Sequence, residues 1–355
     1  MCDRFTSYLK DWIMKLSFKK IAVTLGLTIA MSLGAQSSQA ADINPFNFNV
    51  YSLSDIGSTT TGYGSDYQGI AGAAGSAYFT NFSLNDLNQS HIVTGFSLVT
   101  GGDAAIAGSI NNGGIEAGGD VYINNASVFG NVNAGGSLNG PGGTVYGNAT
   151  LGGSDNTTSS VTVTGSVSEG ASFTSSLNFA GINSFLTSYS ANINGQADTG
   201  SYTNSYGELI INAASGDNYI TIDGSTLNSA WGVTINGAAD SVVYINVDGT
   251  VVSLDSTNWV YNGLDSGDVL LNFGDATTLA LTGGNTVNML APLADTNFAY
   301  GLVTGNLIVG NLTGGGQVNL GGFEHNVVPE PTSAMVLLGS VMALTVRRSR
   351  RRRIV

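Results

Sequence analysis

Between Ile21 and Val346 the chain contains no lysine and no arginine. Its 11 basic residues sit only at the ends: Arg4, Lys10, Lys15, Lys19 and Lys20 at the front, and Arg347, Arg348 and Arg350 to Arg353 at the back. Of 24 Asp and Glu, only Asp3 and Asp11 precede Ala41, leaving 22 in the body and tail. Phosphate and anionic lipid are held mainly by Lys and Arg. The body therefore has no means of binding nucleic acid or an anionic membrane surface, while its own charge keeps it soluble and gathers cations around it.

Cysteine is nearly absent as well. Cys2 is the only one and lies ahead of the export signal read below, which excludes disulfides and thiol chemistry from the mature protein. Histidine occurs twice, at His91 and His325, far apart and with no cysteine partner, so no zinc or copper cluster is indicated. Proline is scarce, at 5 of 355 residues. Glycine is not, at 50, and it is mixed with many Val, Ile, Thr, Asn and Ser. Glycine without proline in that company reads as β-structure with many tight turns rather than a disordered tail. About 300 residues are enough for a large core.

The glycines carry a period. Gly101-Gly102, Gly118-Gly119, Gly135-Gly136 and Gly152-Gly153 recur at one constant spacing, the step from Gly101 to Gly118. At that offset Ala104, Val121 and Leu138 share a column, as do Ile106 and Ile123, and Val128 and Val145. Phe129, Tyr146 and Val163 form another, Gly113, Gly130 and Gly147 a fourth, and Ala117, Ala134 and Leu151 a fifth. Each block holds about three short apolar stretches between Gly or Asn turns, for instance 119–123 and 127–129. Strands this short gain a core only by stacking coil on coil. The fold predicted is mainly β, a β-solenoid with coils of about 17 residues in the first half.

One segment breaks the pattern. Phe179, Ile182, Leu186, Tyr189 and Ile193 sit three or four apart, predicting one α-helix near 179–193, stopped by Asn194-Gly195 and packed along a face or capping an end. Strand signals then resume at 208–213, 218–223, 241–247, 268–273, 277–282, 302–309 and 317–320.

The ends read as addresses. Residues 1–40 predict a signal peptide, with Met14 as an alternative start, an apolar run 21–31 and a small-x-small site ending at Ala40, to be cut by signal peptidase. At the back, Pro329-Glu330-Pro331 precedes an apolar run 332–346 and an arginine cluster that opens with Arg347 and Arg348. Such a helix enters the membrane transiently, held by the arginines on the cytoplasmic side. The tail, residues 327–355, resembles a PEP-CTERM sorting signal. That resemblance implies an exosortase as processing partner and a bacterium that makes extracellular polysaccharide.

Between these ends, residues 41–326 form the predicted domain. Three blocks carry a second resemblance: 48–53 continuing into 65–72; 243–249; and 269–276, with Leu290 to Ala294 and 301–309. Together they resemble the choice-of-anchor A family, which implies a surface-displayed, β-rich domain and no transferable catalytic residues. The chain departs from that family at Ile70, where arginine is usual, and at Asn288-Met289.

Candidate chemistry is sparse. Lyase catalysis calls on cationic side chains that the body lacks. Asp265, Asp268 and Asp275 are the carboxylates a glycosidase could recruit, though each also suits a turn. Asp223 and Asp248, each followed by glycine, are the candidate calcium ligands; no EF-hand or Gly/Asp calcium repeat is present, and no other cofactor is indicated. The reading is a non-enzymatic, exported surface or extracellular-matrix structural protein, sorted by an exosortase and associated with extracellular polysaccharide. A specific adhesin or ice-binding-type module, marked by a flat face of evenly spaced Thr or aromatic residues, is the alternative. Thr144, Thr162 and Thr164 alone do not make such a face. A glycoside hydrolase is the remaining reading.

Overall fold

The apolar alternation becomes mostly short strands that pair in parallel with the coil on either side. The computed structural model describes residues 43–158 and 160–325. The predicted signal peptide and sorting tail, with Ala40, Pro329, Glu330, Pro331, Arg347 and Arg348, lie outside the described residues. The described residues belong to one compact unit that begins at Asp42.

One coil shows how the sequence makes the walls. In Val121–Val128, Val121 and Ile123 are buried, the chain bends at Asn125 with φ 50°, and Ala126 and Val128 are buried from a second wall. Asparagine tolerates that left-handed bend. Val132–Ala134 then supplies Val132 and Ala134 from a third wall. The next coil repeats this arrangement one step of the period further on. Ala104 pairs with Val121 and Val121 with Leu138, while Ile115 pairs with Val132 and Val132 with Ala149. The stacked inward residues form one continuous core, and each Val, Ile or Leu placed there is worth about 1.5–3 kcal/mol of burial. The solenoid is thus as predicted.

Several local expectations change. Val163 pairs with Val145, not with Tyr146, because this coil is one residue longer. The stretch 127–129 ends as strand at Val128. The single strand expected over 302–309 is two, Asn288–Thr304 and Leu307–Gly314, parted by Gly305 at φ 141°. Asp268 belongs to a 3-10 turn, Ser266–Asp268, that precedes the strand Val269–Asn272.

The third wall is the longest, and its order is not the chain's order. From one end it runs Gly216–Asp223, Ser241–Asp248, Val269–Asn272, the start of Asn288–Thr304, then Leu307–Gly314. Next comes Val50–Ser52, the first strand of the chain, followed by Ala71–Ala73, Phe96–Thr100, Gly114–Ala117, Val132–Ala134, Ala149–Leu151 and Val167–Ser168. The chain therefore starts mid-wall and winds to one end. It then crosses back and winds from the far end until Leu307 pairs with Val50.

The crossing is made by an extended strap, 171–178, and by the helix α1, Phe179–Asn194. At 16 residues α1 is about 24 Å long, or about five coil spacings of ~4.8 Å. Its seat is a single outward column of the third wall: Glu116, Val99, Gly72, Tyr51, Ile308, Leu290, Asn272 and Asn246. Glu116 accepts from Ser176 N at 2.8 Å and from Ser176 Oγ at 2.7 Å. The Tyr51 hydroxyl donates to Asn183 Oδ1 at 2.9 Å. Ser190 Oγ donates to Asn272 Oδ1 at 2.6 Å, and Asn246 Nδ2 donates to the Ile193 carbonyl at 3.1 Å. Ile182, Leu186 and Ile193 of α1 bury against this wall in a second hydrophobic cluster. So α1 packs along a face, and the wall beneath it is buried on both sides, apolar within and mixed apolar and amide-bearing without. A second helix, α2, Gly224–Ser229, was not visible in the periodicity.

Among the described residues two buried hydroxyls lack a hydrogen-bond partner, Thr296 and Tyr67. Tyr67 is fully buried and its hydroxyl has no hydrogen-bond partner, whereas the neighbouring Tyr63 donates to the Gly316 carbonyl at 2.6 Å. Leaving such a group dry costs roughly 1–3 kcal/mol. Replacing Tyr67 with Phe is therefore expected to raise stability by about 1 kcal/mol, read as a higher urea midpoint. A lowered midpoint would count against this account.

Candidate functional site

With α1 seated on part of the third wall, exposed chemistry lies mainly on the other walls and at the corners. One corner carries a ladder of side chains, each holding the next coil's backbone. Asp55 Oδ1 accepts from Ser76 N at 2.6 Å, and Ser76 Oγ accepts from Asp103 N at 3.0 Å. Asp103 Oδ1 then accepts from Asp120 N at 2.8 Å, Asp120 Oδ1 from Ser137 N at 2.7 Å, and Ser137 Oγ from Ser154 N at 3.1 Å. Asp103, Asp120 and Ser137, each following a glycine pair, have this task, which explains why Asp or Ser stands there.

The second wall presents a column of hydroxyls. Ser83, Ser109, Ser127, Thr144 and Thr162 follow one another in register. The column is one residue wide, because the inward side chains Ala126 and Val128 flank Ser127 on its strand. At the adjoining corner Phe129 and Tyr146 are half exposed and stack with centroids 4.7 Å apart.

The first wall is indented. Tyr78, Ala105, Tyr122 and Asn139 occupy successive coils of one outward column. Beside it the chain between Ile56 and Tyr63 bulges out. Ile56 pairs with Ala77 and Tyr63 with Phe79, so seven steps of one strand face two of its neighbour. The surplus forms a rim of Ser58, Thr59, Thr60 and Gly62 along a groove of about 410 Å³, with Ala105 and Ala107 on its floor and Asp103 and Asp120 beside it.

The carboxylates singled out from the sequence are employed in turns. Asp265 and Asp268 form a reciprocal cap on their 3-10 turn, and Asp268 Oδ1 also lies 3.1 Å from His325 Nε2. Asp275 accepts from Asn194 Nδ2 at 3.0 Å, at the end of α1. His91 Nε2 sits 2.6 Å from the Asn112 carbonyl and 3.2 Å from Ser97 Oγ. Asp223 and Asp248 are register partners on adjacent strands. Asp223 caps α2, accepting from Ser225 N at 2.9 Å and Thr226 N at 3.2 Å. The Ser225 hydroxyl, then the Thr226 and Ser225 amides, hold its carboxyl below the usual range. Among the described residues no group of three metal-capable side chains comes together.

The blocks that carried the second resemblance converge here too. Residues 50–52, 243–247, 269–272, 289–291 and 307–309 are neighbouring strands of the third wall, the seat of α1. Their shared role is to hold the returning helix.

The described residues thus form a discontinuous parallel solenoid with a helix along one wall and acidic, hydroxyl-rich exposed faces. Residues 45–320 match the ice-binding-like adhesive domain family, and the chain belongs to it. That family is related to choice-of-anchor A type adhesive proteins, which places the chain among surface structural or adhesin-type proteins. No curated protein and no solved structure gives a match.

Proposed function

We propose that the chain is an exported, non-enzymatic matrix or cell-surface component whose adhesive solenoid associates with extracellular polysaccharide. In this reading residues 1–40 are removed by signal peptidase, 41–326 are the adhesive domain, and 327–355 are a sorting tail processed by an exosortase. The observation that carries it is the adhesive-domain match over 45–320, with Pro329-Glu330-Pro331, an apolar run and an arginine cluster further along the chain. Exposed Asn, Ser and Thr in coil register offer donors and acceptors at about 4.8 Å intervals to a polymer laid along them. The one-residue-wide hydroxyl column favours such a polymer over an ice lattice, which would call for a broad flat array.

The mature protein is expected to begin near Ala41 and to lack Arg350 to Arg353. Intact mass on surface and medium fractions, from cells with and without an exosortase, checks this. Surface protein that still carries the arginine cluster would defeat the processing reading.

A further inference from the structure

The indentation on the first wall has the make-up of a ligand site. Its rim is stiff for a loop: Ser58 N donates to the Thr61 carbonyl at 2.9 Å, Thr61 N donates to Ser58 Oγ at 3.0 Å, and the Ser58 and Thr60 hydroxyls meet at 3.1 Å. Its floor is made low by small side chains, the half-buried Ala105 and Ala107. Tyr78 and Tyr122 lie one coil to either side of Ala105, about 9.6 Å apart at ~4.8 Å per coil. Tyr122 is 44% exposed, between the buried Val121 and Ile123. The volume, about 410 Å³, falls in the usual range for small-ligand sites.

We infer that this groove binds a neutral pyranose unit of a polysaccharide, seated over Ala105 against Tyr122, with its hydroxyls on Asp103, Asp120 and the Ser58–Thr60 rim. The inference rests on the reading that polysaccharide is the partner, and it names the class of sugar. A pyranose has an apolar C–H face that suits an aromatic ring and a fringe of O–H donors that suits carboxylates. Asp103 and Asp120 each commit Oδ1 to a backbone N–H of the next coil, which fixes the carboxylate and leaves Oδ2 to accept from a ligand. Uronic acids and phosphorylated sugars are disfavoured, since two carboxylates stand at the groove and no lysine or arginine lies between Ile21 and Val346 to balance an anion.

The test titrates residues 41–326, which close on themselves where Leu307 meets Val50, with neutral gluco-, manno- and galacto-oligosaccharides and with an oligouronate. Three variants accompany the parent: Ala105→Trp, which fills the floor from an outward position; Tyr122→Ala, which removes the exposed ring; and Thr162→Trp, an exposed site on another wall. Thermal melts confirm that each is folded. At least one neutral series is expected to bind the parent and Thr162→Trp alike, with affinity falling at least about tenfold, or 1.4 kcal/mol, in Ala105→Trp and Tyr122→Ala. Binding that survives a folded Ala105→Trp would overturn the groove and leave the polysaccharide reading standing. A preference for the oligouronate would overturn the groove as well. No binding to any of the sugars, neutral or acidic, would sink both.

Discussion

Replacing Gly118, Gly135 or Gly152 with alanine is expected to cost about 3 kcal/mol each, the upper part of the range for an overpacked site. These glycines turn the chain from the third wall into the first. Their N–H groups donate straight to the coil below: Gly118 to the Thr100 carbonyl at 2.9 Å, Gly135 to Ala117 and Gly152 to Ala134, both at 2.8 Å. A methyl group on any of them would come closer than 3.0 Å to a carbonyl oxygen of the glycine one coil away, Gly101, Gly118 or Gly135. The obstruction is backbone, and backbone already bonded on both sides, so it cannot swing aside as a side chain would. The backbone dihedrals themselves are open to alanine, since none of the three glycines has positive φ. The returning strap feels the change too, because Phe173 lies against Gly135 and Phe179 against Gly101. Gly195 is the control. It ends α1 at φ −82° and a methyl there would meet only ordinary contacts, so Gly195→Ala is expected to be neutral or stabilising by up to about 1 kcal/mol. Urea midpoints compare the four variants. Equal midpoints for Gly118→Ala and Gly195→Ala would show that coil stacking does not require the glycine column.

The same column explains what could be read from the sequence. Where one coil follows another at a constant step, glycine and the inward Val, Ile and Ala must recur at that step, and they do from Gly101 to Gly153. In the second half the coil lengths vary. Gly216 pairs with Ser241, Val243 with Val269 and Leu270 with Asn288, three steps of unequal length. Insertions such as α2 occupy the difference, so no period survives, although individual strands were still legible from their alternation. The meeting of Val50 with Leu307 has no local signal at all. It could have been suspected from continuous apolar runs such as 269–271 and 307–309, which mark strands buried on both faces. The helix was legible because Ile182, Leu186 and Ile193 face one wall, whereas its place along the solenoid depended on Asn272 and Asn246, asparagines no different in sequence from those in turns. The groove was hidden for a similar reason. Ser58 to Gly62 reads as an ordinary turn, and only the pairing of Ile56 and Tyr63 with close neighbours on the next strand turns it into a rim. The hydroxyl column was half seen in Thr144 and Thr162. Its other members, Ser83, Ser109 and Ser127, arrive at unequal spacing because bulges intervene.

Above pH 10 the solenoid is expected to lose stability steeply. Tyr51, Tyr63 and Tyr67 are fully buried. Burial opposes ionisation of each phenol and raises its pKa well above the ordinary 10.0. Tyr189 and Tyr261 are raised in the same direction, first by burial and then by neighbouring phenol or carboxylate groups. Below pH 10 these groups are protonated in both folded and unfolded chains, and their contribution is fully present. Above it the unfolded chain releases phenolic protons that the folded chain retains, so the folded state binds more protons and stability falls as pH rises. Each fully buried tyrosine contributes a loss of about 1.4 kcal/mol per pH unit, and three together about 4 kcal/mol. Against a typical total of about 5–15 kcal/mol, unfolding is expected within about one to four units above pH 10. Titrating lysines do not blur the transition, since the body has none, and every phenolate formed adds to a chain that is already acidic throughout. Tyrosinate absorbance and circular dichroism, followed together from pH 8 to 13, check this. The expected result is a cooperative step in which β-structure disappears as the buried phenols ionise. Full ionisation near pH 10 with the β-signal intact would mean that these hydroxyls reach solvent in the folded protein, and that the core around Tyr63 and Tyr67 is not closed.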